Sequence, residues 1–125
     1  IEDYVARSAA KFGRTVRGEK NPSSGGFYRS DHFNFVKKGV PGLFMGSGTE
    51  LLSADTVAIA ARREALSGRY HTVHDELDDN WDFSGIMADI KLFFDIGYTM
   101  SMEKTFPKFK EKSEFRSLGE KRLAK

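Results

Sequence analysis

Three histidines are the side chains of this sequence best suited to binding a transition metal: His32, His71 and His74. His71 lies in a polar stretch, Arg-Tyr-His-Thr-Val-His-Asp-Glu, where a neutral imidazole could bind a metal and Asp75 could orient its second nitrogen. His74 follows three residues later, a spacing that reaches the same metal only on a helix, and this stretch lacks a helical pattern. His32 should lie exposed on the first turn of a helix. Since a single histidine is more often structural than functional, a structural role stays open for each.

Carboxylates are dense just after these histidines. They are Asp75, Glu76, Asp78, Asp79 and Asp82. A calcium loop would space such ligands around a turn glycine, and this stretch has none, so the carboxylates are predicted to solvate a loop and favour the amino end of the next helix. The chain has no cysteine, which excludes disulfides, a thiol nucleophile and thiolate metal ligands. The sequence shows neither a nucleophile-elbow serine nor a phosphate-binding glycine loop.

The elements that must position these residues follow from apolar spacing. Apolar residues at helical intervals predict a first helix that stops at Gly13. A short strand is predicted at 15–17, a helix capped by Ser30 at 31–39, and a buried strand at 40–45. Together these elements form a βαβ unit, which predicts an α/β fold: a three-layer αβα arrangement with a mixed sheet flanked by helices. Ligands of such sheets bind beyond the carboxyl ends of the strands, so reactive residues are expected in the 18–30 loop and after Gly46.

The later half of the chain is predicted to be helical, followed by a basic tail. A weak pattern favours a helix at 55–66, and a strong apolar face from Phe83 to Tyr98 predicts a long helix that packs on the sheet and ends near Glu103. Residues 104–125 carry eight Lys and Arg against three Glu, a net charge of +5 within a total of +2. Without apolar periodicity, this tail is predicted to be solvated and poorly ordered, behind a domain at 1–103.

Two partner classes are not favoured by the composition. The chain of 125 residues has no apolar run long enough to span a membrane. A basic tail can contact nucleic acid, but this one lacks aromatic residues arranged as a stacking platform among its basic residues. A nucleic-acid-binding module therefore stays an alternative, and we predict neither a nucleic-acid partner nor a membrane span.

Three blocks of the sequence resemble a known enzyme family. They are Tyr28-Arg-Ser-Asp-His-Phe-Asn-Phe, Lys38-Gly-Val-Pro-Gly-Leu-Phe, and Tyr70-His-Thr with Asp75. In order and spacing these blocks are similar to the carboxy-terminal third of the co-catalytic zinc aminopeptidases, a family that includes glutamate carboxypeptidase and the transferrin-receptor ectodomain. The resemblance extends from about residue 1 to 103. The stretch Asn-Trp-Asp-Phe-Ser-Gly at 80–85 looks closest to bacterial secreted or periplasmic members, so that localisation is expected.

The resemblance implies roles for individual residues. The family binds two zinc ions with two His, two Asp and one Glu, and a neighbouring Glu is the general base. His71 would be the final metal ligand, and Tyr70 would hydrogen-bond the oxyanion that develops in the transition state. Arg29 and Ser30 would contact the substrate, and Asp31 would brace that loop. Asp75 would support the ligand from the second coordination sphere.

The same resemblance implies a function for a longer protein. The other four ligands and the base belong to the family's upstream portion, and no matching motif occurs here. With a first residue, Ile1, that is not an initiator Met, this predicts a fragment that binds zinc poorly alone and needs the upstream part of the peptidase domain. We predict a zinc-dependent exopeptidase of the aminopeptidase type that hydrolyses peptides. The alternatives are a non-catalytic transferrin-receptor-like interaction domain, or carboxypeptidase or glutaminyl-cyclase chemistry on the same fold.

Overall fold

The structure is a computed structural model that describes residues 1–48, 55–79 and 81–124. Asn80 and Lys125, which belong to the predicted 80–85 stretch and the tail, lie outside the described residues. The chain divides into two units, one formed by residues 1–45 with 88–125 and the other by residues 46–87. The α-helices are α1 (Glu2–Lys11), α2 (His32–Val36), α3 (Thr56–Ser67), α4 (Ser84–Ser101) and α5 (Arg116–Leu123), with 3₁₀ turns at Pro22–Ser24 and Gly26–Arg29.

The predicted three-layer α/β fold is wrong, because the described residues are 51% helical and contain no strand. A strand is stable only where a neighbouring strand accepts its backbone hydrogen bonds, and neither 15–17 nor 40–45 has such a neighbour among the described residues. The amide of Val40 instead donates to the carbonyl of Phe35 at 3.1 Å, within the turn that ends α2. The βαβ unit and the sheet edge derived from it are therefore wrong as well.

The first unit is built around the contact between α1 and α4. Its core consists of Val5 and Ala9 from α1 and Leu92 and Ile96 from α4, each at most 5% exposed. These pairs lie four residues apart on their helices, so each helix presents one apolar stripe to the other. The prediction of the first helix is confirmed by α1.

Two glycines end helices in the same way. Gly13 has φ 65° and Gly39 has φ 81°, both in the left-handed region that favours glycine. After α1, the amide of Gly13 donates to Ala10 and that of Arg14 donates to Ala9. The equivalent pair of bonds closes the turn at Gly39, so both helices end in a Schellman motif.

The long helix α4 confirms the predicted helix but not its predicted packing on a sheet. Its face at Ile90, Phe94 and Tyr98 is 50–70% exposed, whereas Leu92 and Ile96 are buried. The Asp82 carboxylate accepts from the amide of Ser84 at 2.9 Å at the start of the helix. None of the described helices is both long and apolar enough to cross a membrane.

A polar cluster supports the same α1–α4 contact. The buried Ser8 hydroxyl donates to Asp95 at 2.6 Å, and Lys11 donates to the same carboxylate at 3.0 Å. These two hydrogen bonds lower the pKa of Asp95, the bond from Ser8 contributing more. Close by in sequence, Arg14 pairs with Asp89 at 2.7 Å.

We expect the Asp95 cluster to make the free energy of unfolding depend on pH in the acidic range. Because the pKa of Asp95 is lower in the folded than in the unfolded chain, its contribution is complete above the unfolded value, about 3.9, and is lost as pH falls through the folded value. Urea unfolding at neutral and acidic pH should therefore show that the free energy of unfolding falls less on acidification in Asp95→Asn than in wild type. Asp79 is exposed, so Asp79→Asn is the control and should lose as much stability on acidification as wild type. If Asp95→Asn also loses as much as wild type, the stabilising role assigned to the Asp95 carboxylate is wrong.

The basic tail contains α5 and contacts three parts of the first unit. Lys110 pairs with Asp3 at 3.0 Å, Glu114 with Tyr28, and Arg122 with the carbonyl of Gly39. The predicted domain boundary near 103 and the prediction of a poorly ordered tail stay predictions. Substitutions at Lys110, Glu114 and Arg122 would test both predictions, because these residues make the contacts of the tail.

Candidate functional site

The Tyr70–His71 pair lies in the turn that follows α3, in the second unit. The helix prediction at 55–66 is confirmed by α3, whose first turn is capped by the Asp55 carboxylate accepting from Ala58 at 3.1 Å. After α3 the chain forms consecutive turns, in which the amide of Tyr70 donates to the carbonyl of Ser67 and the amide of Thr72 donates to the carbonyl of Arg69.

His71 has an unusual backbone conformation. Its φ is 61°, and no other non-glycine residue among those described has a positive φ. A residue with a side chain costs about 1–2 kcal/mol in this region, and such outliers gather at functional sites. Its neighbours hold the turn: Arg69 pairs with Asp78 at 2.9 Å, and the Thr72 hydroxyl donates to the carbonyl of Arg69 at 2.6 Å.

The two side chains of the pair lie against each other at the surface. The rings of Tyr70 and His71 stack with centroids 3.9 Å apart and planes 23° apart. Tyr70 is 67% exposed and His71 is exposed as well, so both polar edges are accessible to a ligand. An imidazole and a phenol are thereby presented together from one short turn.

The described residues do not by themselves fit a complete zinc site. Across residues 1–48, 55–79 and 81–124, no three His, Asp or Glu side chains come close enough together to hold a metal ion. His71 fits one coordination position by its chemistry. Asp75 and His74 are both exposed beyond it, and the role of Asp75 in orienting His71 stays a prediction.

The block predicted to contact substrate lies in the first unit. Arg29 ends a 3₁₀ turn, and its guanidinium is exposed while donating to the carbonyl of Ser24 at 3.0 Å. The predicted capping of α2 by Ser30 is wrong: Asp31 is the N-cap residue, and its carboxylate makes no capping hydrogen bond. Ser30 is half-buried, and its carbonyl accepts from the amide of Phe33. The bracing role of Asp31 and the substrate roles of Arg29 and Ser30 stay predictions.

The predicted exposure of His32 is also wrong. Its ring stacks on Phe44, with centroids 5.2 Å apart and planes 5° apart, and lies edge-on to Phe27 at 4.6 Å. Both ring nitrogens are buried without a hydrogen-bond partner among the described residues. The dense aromatic residues of the block are the signal that could have predicted this packing.

The sequence interpretation missed one contact of this block altogether. The Tyr28 hydroxyl donates to the Glu114 carboxylate at 2.5 Å across 86 residues of sequence. Neither residue carries a local pattern that would reveal the other, because the contact depends on how the tail folds back.

Comparison with known proteins gives one match. The model of Peptidase family M28 matches residues 1–94, about three quarters of the chain. No curated protein and no solved structure matches the chain. The family match confirms the resemblance to the co-catalytic zinc peptidases, and the chain therefore belongs to peptidase family M28.

Proposed function

We propose that this chain contributes His71 and Tyr70 to the active site of a zinc-dependent exopeptidase that releases amino-terminal residues from peptides. Membership of a peptidase family supports hydrolysis of peptides as the reaction. On this proposal the remaining metal ligands and the general base come from the rest of the peptidase domain, and two zinc ions are bound there. By the same resemblance, the enzyme is secreted or periplasmic.

The conformation of His71 is the observation that carries the proposal. A positive φ costs an exposed non-glycine residue about 1–2 kcal/mol, and strain of this kind is concentrated at functional sites. In this conformation the imidazole stays at the surface beside Tyr70 rather than in a core. An exposed neutral imidazole is a suitable zinc ligand.

The phenol of Tyr70 has a separate role in the proposal. A hydroxyl placed beside the metal ligand can donate a hydrogen bond to the oxygen of the scissile carbonyl as negative charge develops on it. Zinc, when bound, would supply Lewis-acid polarisation of the same carbonyl. By the same resemblance, Arg29 and Ser30 would contact the peptide substrate.

Substitution of His71 should separate its metal role from its backbone strain. In the enzyme that contains the complete peptidase domain, His71→Ala and His71→Gly should both lower the zinc affinity, because each removes the imidazole. His74→Ala is the control and should keep the zinc content of wild type. In the 125-residue chain, His71→Gly should be more stable than His71→Ala by about 1 kcal/mol, because glycine adopts a positive φ without strain.

The two measurements are metal analysis after dialysis and urea unfolding. Full zinc content in both His71 variants would contradict the ligand assignment. Equal unfolding midpoints for the Ala and Gly variants would contradict the strained conformation. A wild-type enzyme that binds no zinc would favour the non-catalytic, transferrin-receptor-like alternative.

A further inference from the structure

The tail meets the predicted substrate block through one short hydrogen bond. Tyr28 lies one residue before Arg29, and its hydroxyl donates to Glu114 at 2.5 Å. This hydrogen bond, with desolvation and the negative charge of the carboxylate, raises the pKa of Tyr28. A bond to a charged acceptor is stronger than one between neutral groups, so Glu114 restrains the ring of Tyr28, a residue that is 47% exposed.

An aromatic residue next to Glu114 reinforces the same contact. The Phe115 ring centroid lies 6.2 Å from that of Phe27, 6.4 Å from that of Tyr28 and 5.8 Å from that of Phe33. These distances lie within the range in which aromatic pairs attract each other. One tail side chain therefore contacts both ends of the block that contains Arg29 and Ser30.

Two further contacts hold the tail on either side of Glu114 and Phe115. Before them, Lys110 pairs with Glu2 at 2.9 Å and with Asp3 at 3.0 Å at the start of α1. After them, the Arg122 guanidinium donates to the carbonyl of Gly39 at 3.0 Å. We refer to residues 110–122 as the strap, since one end contacts α1, the other contacts the turn at Gly39, and the middle contacts the block at 27–33.

The strap lies outside the part of the chain that matches the family, which ends at residue 94. The family match therefore does not account for the contacts of the strap. Arg29 itself is exposed, and its guanidinium donates a hydrogen bond to the carbonyl of Ser24. The backbone that carries Arg29 lies within the block, and the strap contacts that block at Phe27, Tyr28 and Phe33.

We propose that Glu114 and Phe115 are positioning residues, which hold the 27–33 block so that Arg29 and Ser30 are preorganised for the peptide. This inference rests on the proposed function, because it assigns substrate contact to those two residues. The strap does not touch the substrate. It acts by lowering the conformational freedom that the block would lose on binding.

The first test measures the contact itself in the 125-residue chain. Tyrosine ring signals are followed by NMR through an alkaline titration, and Tyr28→Phe identifies the signal of Tyr28. Glu114→Ala should lower the pKa of Tyr28, because the charged acceptor is removed, and Glu114→Gln should lower it less, because an acceptor remains. Glu111→Ala changes another exposed carboxylate of the strap and should leave the titration unchanged. An unchanged Tyr28 titration in Glu114→Ala would overturn the inference.

The second test measures substrate binding in the enzyme that contains the complete peptidase domain. Glu114→Ala should raise KM about five- to tenfold, with kcat within about twofold of wild type, since the lost contact orders the ground state and the transition state equally. Glu114→Gln should recover most of the wild-type KM. If Glu114 only stabilised the fold, its substitution would lower the melting temperature but leave KM unchanged when KM is measured well below that temperature.

The outcomes separate this inference from the proposed function. A normal KM in Glu114→Ala, together with a shifted Tyr28 titration, would show that the contact forms but does not position the substrate, and would overturn the inference alone. A wild-type enzyme without peptidase activity would refute the proposed function and the substrate role together. The titration would still establish whether the strap is attached to Tyr28.

Discussion

Tyr70→Phe should reduce turnover by roughly 10²–10³ in the enzyme that contains the complete peptidase domain, the usual effect of losing one oxyanion donor. The substitution removes only the hydroxyl. The ring that stacks on His71 at 3.9 Å is retained, so the imidazole should keep its position and the zinc content should not change. KM should change little, because the lost hydrogen bond forms as charge develops on the substrate oxygen.

Turnover of a chromogenic amino-acid amide and metal analysis of the same samples measure the two effects. Tyr98→Phe is a matched control, since Tyr98 is also an exposed tyrosine, 57% accessible on α4, and should keep full activity. Loss of zinc from Tyr70→Phe would show that the phenol supports the metal rather than the transition state. Unchanged turnover would remove Tyr70 from the catalytic group.

Gly39→Ala should destabilise the 125-residue chain by about 2–4 kcal/mol, for two independent reasons. A side chain at φ 81° is strained, and a Cβ at this position would overlap the backbone carbonyl oxygen of Leu118 in α5. Because that obstacle is backbone, relief requires α5 to move, which would also strain the bond from Arg122 to the Gly39 carbonyl. The melting temperature should fall by about 10 °C.

Gly13→Ala separates the two reasons. Gly13 ends α1 with the same type of turn at φ 65°, but a Cβ there would meet no atom within 4 Å. Its substitution should therefore cost only the backbone strain, about 1–2 kcal/mol. Thermal unfolding followed by circular dichroism gives the melting temperatures of both variants and so separates the two contributions. Equal losses would mean that α5 does not pack on Gly39 as the structure describes.

Local patterns in the sequence predicted the helices better than their packing. The apolar spacing before Gly13 and the run after Phe83 each specify a helix within a few residues, and α1 and α4 confirm them. A strand, by contrast, depends on a partner strand from any part of the chain, so the apolar run at 40–45 could not establish a sheet. The turn at Gly39 was correctly predicted as the end of a helix, yet its contact with α5 lies about 80 residues away in sequence.

In the candidate site too, the sequence predicted the residues but not their conformation or their distant contacts. The order of the sequence blocks pointed to Tyr70 and His71 and to a family that the comparison confirms. The left-handed backbone at His71 could not be predicted from the sequence, because histidine adopts a positive φ more often than most residues but still only in a small fraction of cases. The contact between Tyr28 and Glu114 was equally hidden, since a tail with interleaved charges gives no sign of what it meets.

The division of the chain into units has a consequence for the order in which the protein can fold. The first unit is assembled from residues 1–45 and 88–125, so its two parts are separated by the 42 residues of the second unit. Residues 12–83, which are 72 residues, separate the end of α1 from the start of α4, so at about 5–20 residues per second α1 is complete roughly 4–14 s before synthesis of α4 begins. Until then the apolar side of α1, including Val5, has no partner in α4. Nascent chains should therefore depend on chaperones most in this interval, and the native contacts of α1 should form late rather than first.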